Sequence, residues 1–151
     1  MTKSDRRVKG LGEVSIQVKD LDAMHKFYEE VVGLEVLRRD DGDEGFVFFK
    51  VAEGYGGHSQ NLALFAAKNT LNPQESTLHH IALNVALEDF EAEKMRLEGL
   101  GLEIHATVHE WLHVRSLYFY DPEGNHLEFV AYDETVRYVK TYPTPKTDSQ
   151  A

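Results

Sequence analysis

The sequence predicts an α+β domain of two tandem βαβββ modules, forming a cupped mixed β-sheet cavity with the helices outside. Three observations carry that prediction. Strand-type alternation and helix-type spacing follow one another in the same order twice along the chain. A short phrase repeats: Gly33-Leu34-Glu35-Val36 returns as Gly101-Leu102-Glu103-Ile104, 68 residues later and each time just after a helix. The first strands of the two halves, at Glu13 and His80, are 67 residues apart, which agrees with that offset. The modules are read as 8–67 and 77–133, with a C-terminal tail at 134–151.

The elements follow in order. Leu11–Lys19 alternates, with Val14, Ile16 and Val18 on one face and Glu13, Ser15, Gln17 and Lys19 on the other, which is the pattern of a half-buried strand. Asp20 or Asp22 caps a helix whose Met24, Phe27, Tyr28 and Val31 fall at helical spacing, and Gly33 ends it. Leu34–Arg38, Phe46–Val51 and Asn61–Ala66 read as strands, separated by the turn-rich stretches Asp40–Gly45 and Glu53–Gly57. After the polar linker Lys68–Ser76, His80–Val85 alternates again, with Ile81, Leu83 and Val85 on one face. Glu88–Glu98 is a charged helix with Phe90 and Leu97 inward, stopped by Gly99. Leu102–Thr107, Trp111–Tyr120 and His126–Tyr132 complete the second set of strands. In the tail, Val136, Tyr138 and Tyr142 suit an edge strand or a dimer contact.

Composition narrows the function. At 151 residues the chain is one domain's length and can bury a core. The absence of Cys excludes disulfides, thiolate metal sites and Cys nucleophiles. A net charge of −10 repels phosphates, so neither nucleic acid nor an anionic membrane is an expected partner. No apolar run approaches a membrane span, and MTKSDRRVKG has no secretory h-region, so a soluble cytoplasmic protein is expected. Phosphate-binding Gly-rich loops, a Gly-x-Ser-x-Gly elbow and a dinucleotide fingerprint are missing. Eight His among many carboxylates leave metal binding open.

In each module the apolar strand face is expected to pack on its helix. The opposite faces, Glu13/Ser15/Gln17 and His80/Ala82/Asn84, are too polar for a core. Two curved sheets facing each other would enclose a polar cavity there, and the site is expected in it.

The chain resembles the vicinal oxygen chelate superfamily, which includes glyoxalase I, bleomycin and fosfomycin resistance proteins and type I extradiol dioxygenases. The resemblance rests on Val14-Ser-Ile-Gln-Val-Lys-Asp20-Leu21, Phe27-Tyr28 and Val32-Gly33-Leu34 in the first module. In the second it rests on His79-His80-Ile-Ala-Leu and Asp121-Pro-Glu-Gly-Asn-His-Leu-Glu128. It covers nearly the whole chain. It implies a metal site with His80 and Glu128 as ligands and Glu13 at the first-module ligand position, where His or Gln is commoner. The fourth position of the glyoxalase-type site falls near Ala63, which cannot bind metal, so a three-ligand pattern remains. That pattern is similar to the extradiol facial triad with one His replaced by Glu. Thr107-Val-His109, Leu117-Tyr118 and the following Asp121 to Glu128 also match the extradiol pattern, which makes His109 and Tyr118 candidate acid/base or hydrogen-bonding groups. A divalent cation is implied, with Fe²⁺, Mn²⁺, Zn²⁺ and Ni²⁺ all open, and the two carboxylates make the set harder and more anionic.

His109, Trp111, His113 and Arg115 alternate, so an unbroken strand would place them on one face. As a pocket wall, Trp111 would stack, His113 transfer protons and Arg115 hold an anionic group. As a bland stripe they would be exposed or dimer-facing. Tyr118 has the opposite parity to Arg115, so the two share a cavity only across a bulge or twist. His58 and Gln60 precede the last strand of the first module, near where an extradiol base would lie. His126 shares parity with Glu128 and reads as a residue behind the ligands or a stray ligand. His25 and His105 read as structural or exposed.

The expected function is a metal-dependent enzyme for a small molecule that chelates through neighbouring oxygens, most similar to an extradiol-type dioxygenase. A glyoxalase-like lyase or isomerase is the alternative enzyme. The alternative from another class is a metal-free small-molecule-binding protein resembling the bleomycin resistance proteins. A homodimer is expected, and the cavity lies either within one chain or between two.

Overall fold

A computed structural model describes residues 7–137. The first module runs β1 (Glu13–Val18), α1 (Leu21–Lys26) continued by a π-helical turn at Phe27–Val31, then β2 (Glu35–Asp40), β3 (Phe46–Ala52) and β4 (Gln60–Ala66). The second runs β5 (Ile81–Asn84), α2 (Phe90–Gly99), β6 (His105–His109), β7 (Val114–Tyr120) and β8 (His126–Tyr132). Each half is a mixed four-stranded sheet, ordered β1-β4-β3-β2 and β5-β8-β7-β6. The first and last strands of each half pair in parallel, and the other pairs are antiparallel. The two-module α+β architecture is thus present.

Period-two patterning builds the faces. Val18, Leu62, Leu64, Val47 and Phe49 of the first sheet are buried with Met24, Phe27 and Tyr28 of the helical segment. Leu117, Phe119, Leu127, Phe129 and Ala131 of the second sheet are buried with Phe90 and Leu97 of α2. These residues form one core cluster, so the two modules share their apolar side. Asp20 is the α1 N-cap, its carboxylate accepting from Ala23 N at 2.9 Å.

The repeated phrase has a backbone cause. Gly33 and Gly101 take φ of +85° and +86°, the left-handed conformation that ends a helix and that glycine adopts without steric cost. Gly101 N donates to Glu98 O at 2.9 Å and Leu102 N to Leu97 O at 3.2 Å, which satisfies the last carbonyls of α2. The helix therefore ends through Gly101; Gly99, expected to stop it, is its last residue.

The Asp121-Pro-Glu-Gly-Asn turn locks the modules together. Asp121 Oδ1 accepts from Glu123 N and Asn125 N, each at 2.9 Å. Its Oδ2 accepts from the buried Tyr28 hydroxyl at 2.8 Å. Glu123 then reaches the first module, accepting from Lys19 N at 2.7 Å and Asp20 N at 2.8 Å. Burial, then the Asp121 carboxylate, pushes the Tyr28 hydroxyl well above its ordinary pKa, so it remains a donor. Arg96 adds a contact to Val31 O at 2.8 Å.

The strand expected from Trp111 begins later. Glu110–Leu112 is a 3₁₀ turn, and His113 is left-handed at φ 56°. The last strand but one therefore starts at Val114, which breaks the alternation assumed from His109 to Arg115. Of the tail residues, Val136 is buried, while Tyr138 and Tyr142 lie outside the described residues. Among the described residues no helix is long and apolar enough to cross a membrane.

Candidate metal centre

Opposed residues in a sheet point to the same side, so the pairing register defines the face away from the core. His105 stands opposite Tyr118, Tyr118 opposite Glu128, and Glu128 opposite Ala82. Tyr120 stands opposite His126, and Thr107 opposite Ser116. This face forms the floor of a cavity of about 580 Å³. Its lining is His79, His80, Glu103, His105, Thr107, His109, Tyr118, Tyr120 and His126, all from the second module. The first sheet of the same chain contributes nothing to this lining; the sequence left open whether the facing sheet comes from one chain or from two.

His80 sits just before β5, beside the start of β8. Its Nε2 lies 2.9 Å from Glu128 Oε2. Glu128 is 5 % exposed, and its Oε1 accepts from the buried Ser116 hydroxyl at 2.5 Å. Both carboxylate oxygens are thus directed. His79 Nδ1 lies 2.7 Å from His80 Nδ1. The ligand atoms of His79, His80 and His126 all lie within 4.8 Å of one another. Burial, then His80 and His79, lowers the His126 pKa, which keeps that imidazole neutral and able to ligate.

The donor chemistry fits a divalent cation. Donors that share one metal at roughly 2.1 Å each lie roughly 3–3.5 Å apart. The His80 and Glu128 donor atoms, 2.9 Å apart, are close enough to share a cation. A buried carboxylate beside imidazoles is also a usual ligand set for first-row metals.

His109 and Tyr118, proposed together from the sequence, are in contact: His109 Nε2 and the Tyr118 hydroxyl share a hydrogen bond of 2.8 Å on the cavity wall. Burial, then the Glu128 carboxylate, raises the Tyr118 pKa, so its hydroxyl stays protonated.

The other sequence candidates lie elsewhere. Trp111, on the 3₁₀ turn, is 68 % exposed and does not line the cavity. His113 turns toward the C-terminal segment, its Nδ1 2.5 Å from Val136 O. Arg115 shares the parity of Leu117, away from the cavity, and its Nε donates to Asp133 Oδ2 at 2.7 Å. The stripe therefore divides at the turn: only His109 of the four lines the pocket. Glu13 is on β1 in the other sheet, where its carboxylate accepts from Ser15. It neither lines this cavity nor joins the His cluster. Its sheet face carries Ala63, Phe48, Phe65 and Phe46, with Ala63 opposite both Ser15 and Phe48. His58 lies in the loop before β4, also away from the cavity.

Sequence reasoning missed Ser116, Glu103, Thr107 and Tyr120, and took His105 for a structural or exposed residue. The signal was parity. His105, Thr107 and His109 alternate on β6, and Ser116, Tyr118 and Tyr120 alternate on β7.

Comparison with known proteins settles the family. The model of the glyoxalase/bleomycin resistance protein/dioxygenase superfamily matches residues 10–129. The chain belongs to this superfamily. Among its superfamily relatives is the glutathione transferase FosA of Serratia marcescens, 30 % identical over 125 residues, covering 80 % of this chain and 79 % of that one. The fosfomycin resistance protein FosX of Listeria innocua is 30 % identical over 126 residues, covering 80 % and 86 % respectively. A variant of FosX from Listeria monocytogenes, solved with Mn(II) and 1S,2S-dihydroxypropylphosphonic acid, has the same fold. Its TM-score is 0.66 at 22 % identity, with 85 % of this chain and 95 % of that chain covered.

Proposed function

We propose that this chain is a metal-dependent enzyme acting on a small molecule that chelates through neighbouring oxygens. The observation that carries this is the His80–Glu128 pair at 2.9 Å in the histidine-lined cavity. A relative named as a fosfomycin resistance protein, and a FosX structure solved with Mn(II), support metal dependence. Fe²⁺, Mn²⁺, Zn²⁺ and Ni²⁺ all suit the donors. A cation held there would polarise two substrate oxygens and stabilise the anion that develops on them. Ser116 keeps Glu128 aimed at the cavity. Tyr118 donates a hydrogen bond toward the developing anion, and His109 takes or returns a proton through it.

Glu13 belongs to this reading through a second copy. Its face of the first sheet also holds the half-buried Phe46, Phe48 and Phe65, an aromatic surface suited to cover by another subunit. A homodimer that sets this face against the cavity brings Glu13 of the partner subunit to the metal. The protein is taken as cytoplasmic.

Two reactions fit. The His109–Tyr118 hydrogen bond favours extradiol-type ring opening, as the sequence pattern implies. The name of the FosX relative favours chemistry on fosfomycin, and that of the FosA relative favours glutathione as co-substrate. The test is metal-dependent turnover of three substrate types: catechols with Fe²⁺ and O₂, glutathione hemithioacetals, and fosfomycin with Mn²⁺ and either water or glutathione. Turnover of one type, abolished by chelator and restored by metal, is expected. Tight binding of a small molecule to metal-stripped protein, undiminished in His80→Ala, would instead support the metal-free binding role.

A further inference from the structure

We propose that His126 is a resident third ligand, so that His80, His126 and Glu128 of a single chain hold the cation. This inference rests on the metal-dependent reading above and specifies its ligand set.

The register sets the three residues on one face of neighbouring strands, with His80 near both of the others. His126 and Glu128 are two apart on β8, so they project from the same face. β5 pairs with β8 from Ile81↔Leu127, which sets His80 beside His126 and next to Glu128. The His80 and His126 ligand atoms are within 4.8 Å of one another, and His80 is 2.9 Å from Glu128. A cation held by His80 and Glu128 would come within reach of the His126 imidazole after side-chain rotation.

His126 is held in place rather than free. Its ring stacks on Tyr120 at 4.7 Å and 18°, and lies 5.1 Å from the Tyr118 ring. These contacts fix the imidazole plane on the cavity floor. A ring present only to fill the aromatic stack has no reason to bring a nitrogen into the same small cluster as both His79 and His80.

The chemical consequence is specific. Two imidazoles and one carboxylate form a borderline donor set suited to Fe²⁺, Co²⁺, Ni²⁺ or Zn²⁺, whereas Mg²⁺ prefers oxygen. The centre is complete without the first module. Glu13 of the partner subunit then adds a further donor and is not needed to retain the metal.

The test is a Co²⁺ titration of metal-stripped full-length protein, read by calorimetry and visible absorption, with folding checked by circular dichroism. Wild type is expected to bind one Co²⁺ per chain. His126→Ala and His126→Gln are expected to weaken binding by at least about tenfold and to shift the visible bands. Folded His126 variants that bind Co²⁺ like wild type, with unchanged bands, while His80→Ala loses it, would overturn this inference and leave the metal-dependent reading standing. Wild type that takes up no Co²⁺ would overturn both.

Discussion

Ser116 Oγ donates to Glu128 Oε1 from the neighbouring strand, leaving Oε2 directed at His80. One hydroxyl therefore both satisfies half of a buried carboxylate and aims the other half at the cavity. Ser116 and Glu128 are not directly opposed in the register; Tyr118 is opposite Glu128, so the hydroxyl reaches along the strand to it. The site consequently depends on a residue that offers no metal donor of its own.

Ser116→Ala tests that dependence. It is expected to cost about 1–3 kcal/mol of stability by leaving a buried carboxylate oxygen without its donor. It should also weaken metal binding by about 10–100-fold, as loss of a ligand's supporting partner does elsewhere. Urea denaturation and metal titration measure the two effects. Unchanged metal affinity would show that Glu128 needs no such support.

Tyr118→Phe separates chemistry from fold. The ring packing is kept and only the hydroxyl hydrogen-bonded to His109 is lost. Thermal stability is expected to change little, while kcat on the enzyme's substrate falls by about 10²-fold or more. A kcat equal to wild type would remove Tyr118 from the reaction.

Tyr28→Phe probes the join between modules. The hydroxyl lost is a buried donor to the Asp121 carboxylate. Hydrogen bonds to charged groups contribute about 1.5–3 kcal/mol, so the unfolding free energy should fall by that amount, with a lower denaturation midpoint, while metal binding stays near wild type. A midpoint unchanged within error would contradict the role assigned to this contact.

Asp133 gives the acid response a defined cause. Hydrogen bonds from Thr135, then Arg115, hold its carboxyl down at about 2 from an ordinary 3.8. Because the folded value is depressed, the carboxylate's stabilisation is complete above the unfolded value and is lost as pH falls through the folded one. Thr135→Ala is expected to raise the folded value and move the onset of that loss to higher pH. An acid-unfolding curve that superimposes on wild type would contradict this.

The sequence made the repeat legible because each element carries its own local signal. Alternation placed β1 and β5, and the Gly33 and Gly101 helix ends reproduced the same left-handed turn. The Asp121 turn was legible as a motif, although its work in fixing Tyr28 and holding the junction of β1 and α1 emerges only in three dimensions. The stripe from His109 to Arg115 misled because period-two spacing is necessary for a strand but not sufficient. There His113 turns left-handed, with its O accepting from Asp133 N at 2.8 Å and its ring facing Val136 O. Those partners are twenty or more residues away, so no local pattern reports them. Glu13 was placed with His80 and Glu128 by resemblance, whereas within one chain it lies on the other sheet.

The most direct measurement is the metal content of protein purified without chelator or affinity-tag metal, alongside His80→Ala and Glu128→Ala. The account predicts near-stoichiometric divalent metal in wild type and its loss in both variants. Folded wild type that contains no metal, and takes up none from added Fe²⁺, Mn²⁺, Ni²⁺ or Zn²⁺, would contradict it.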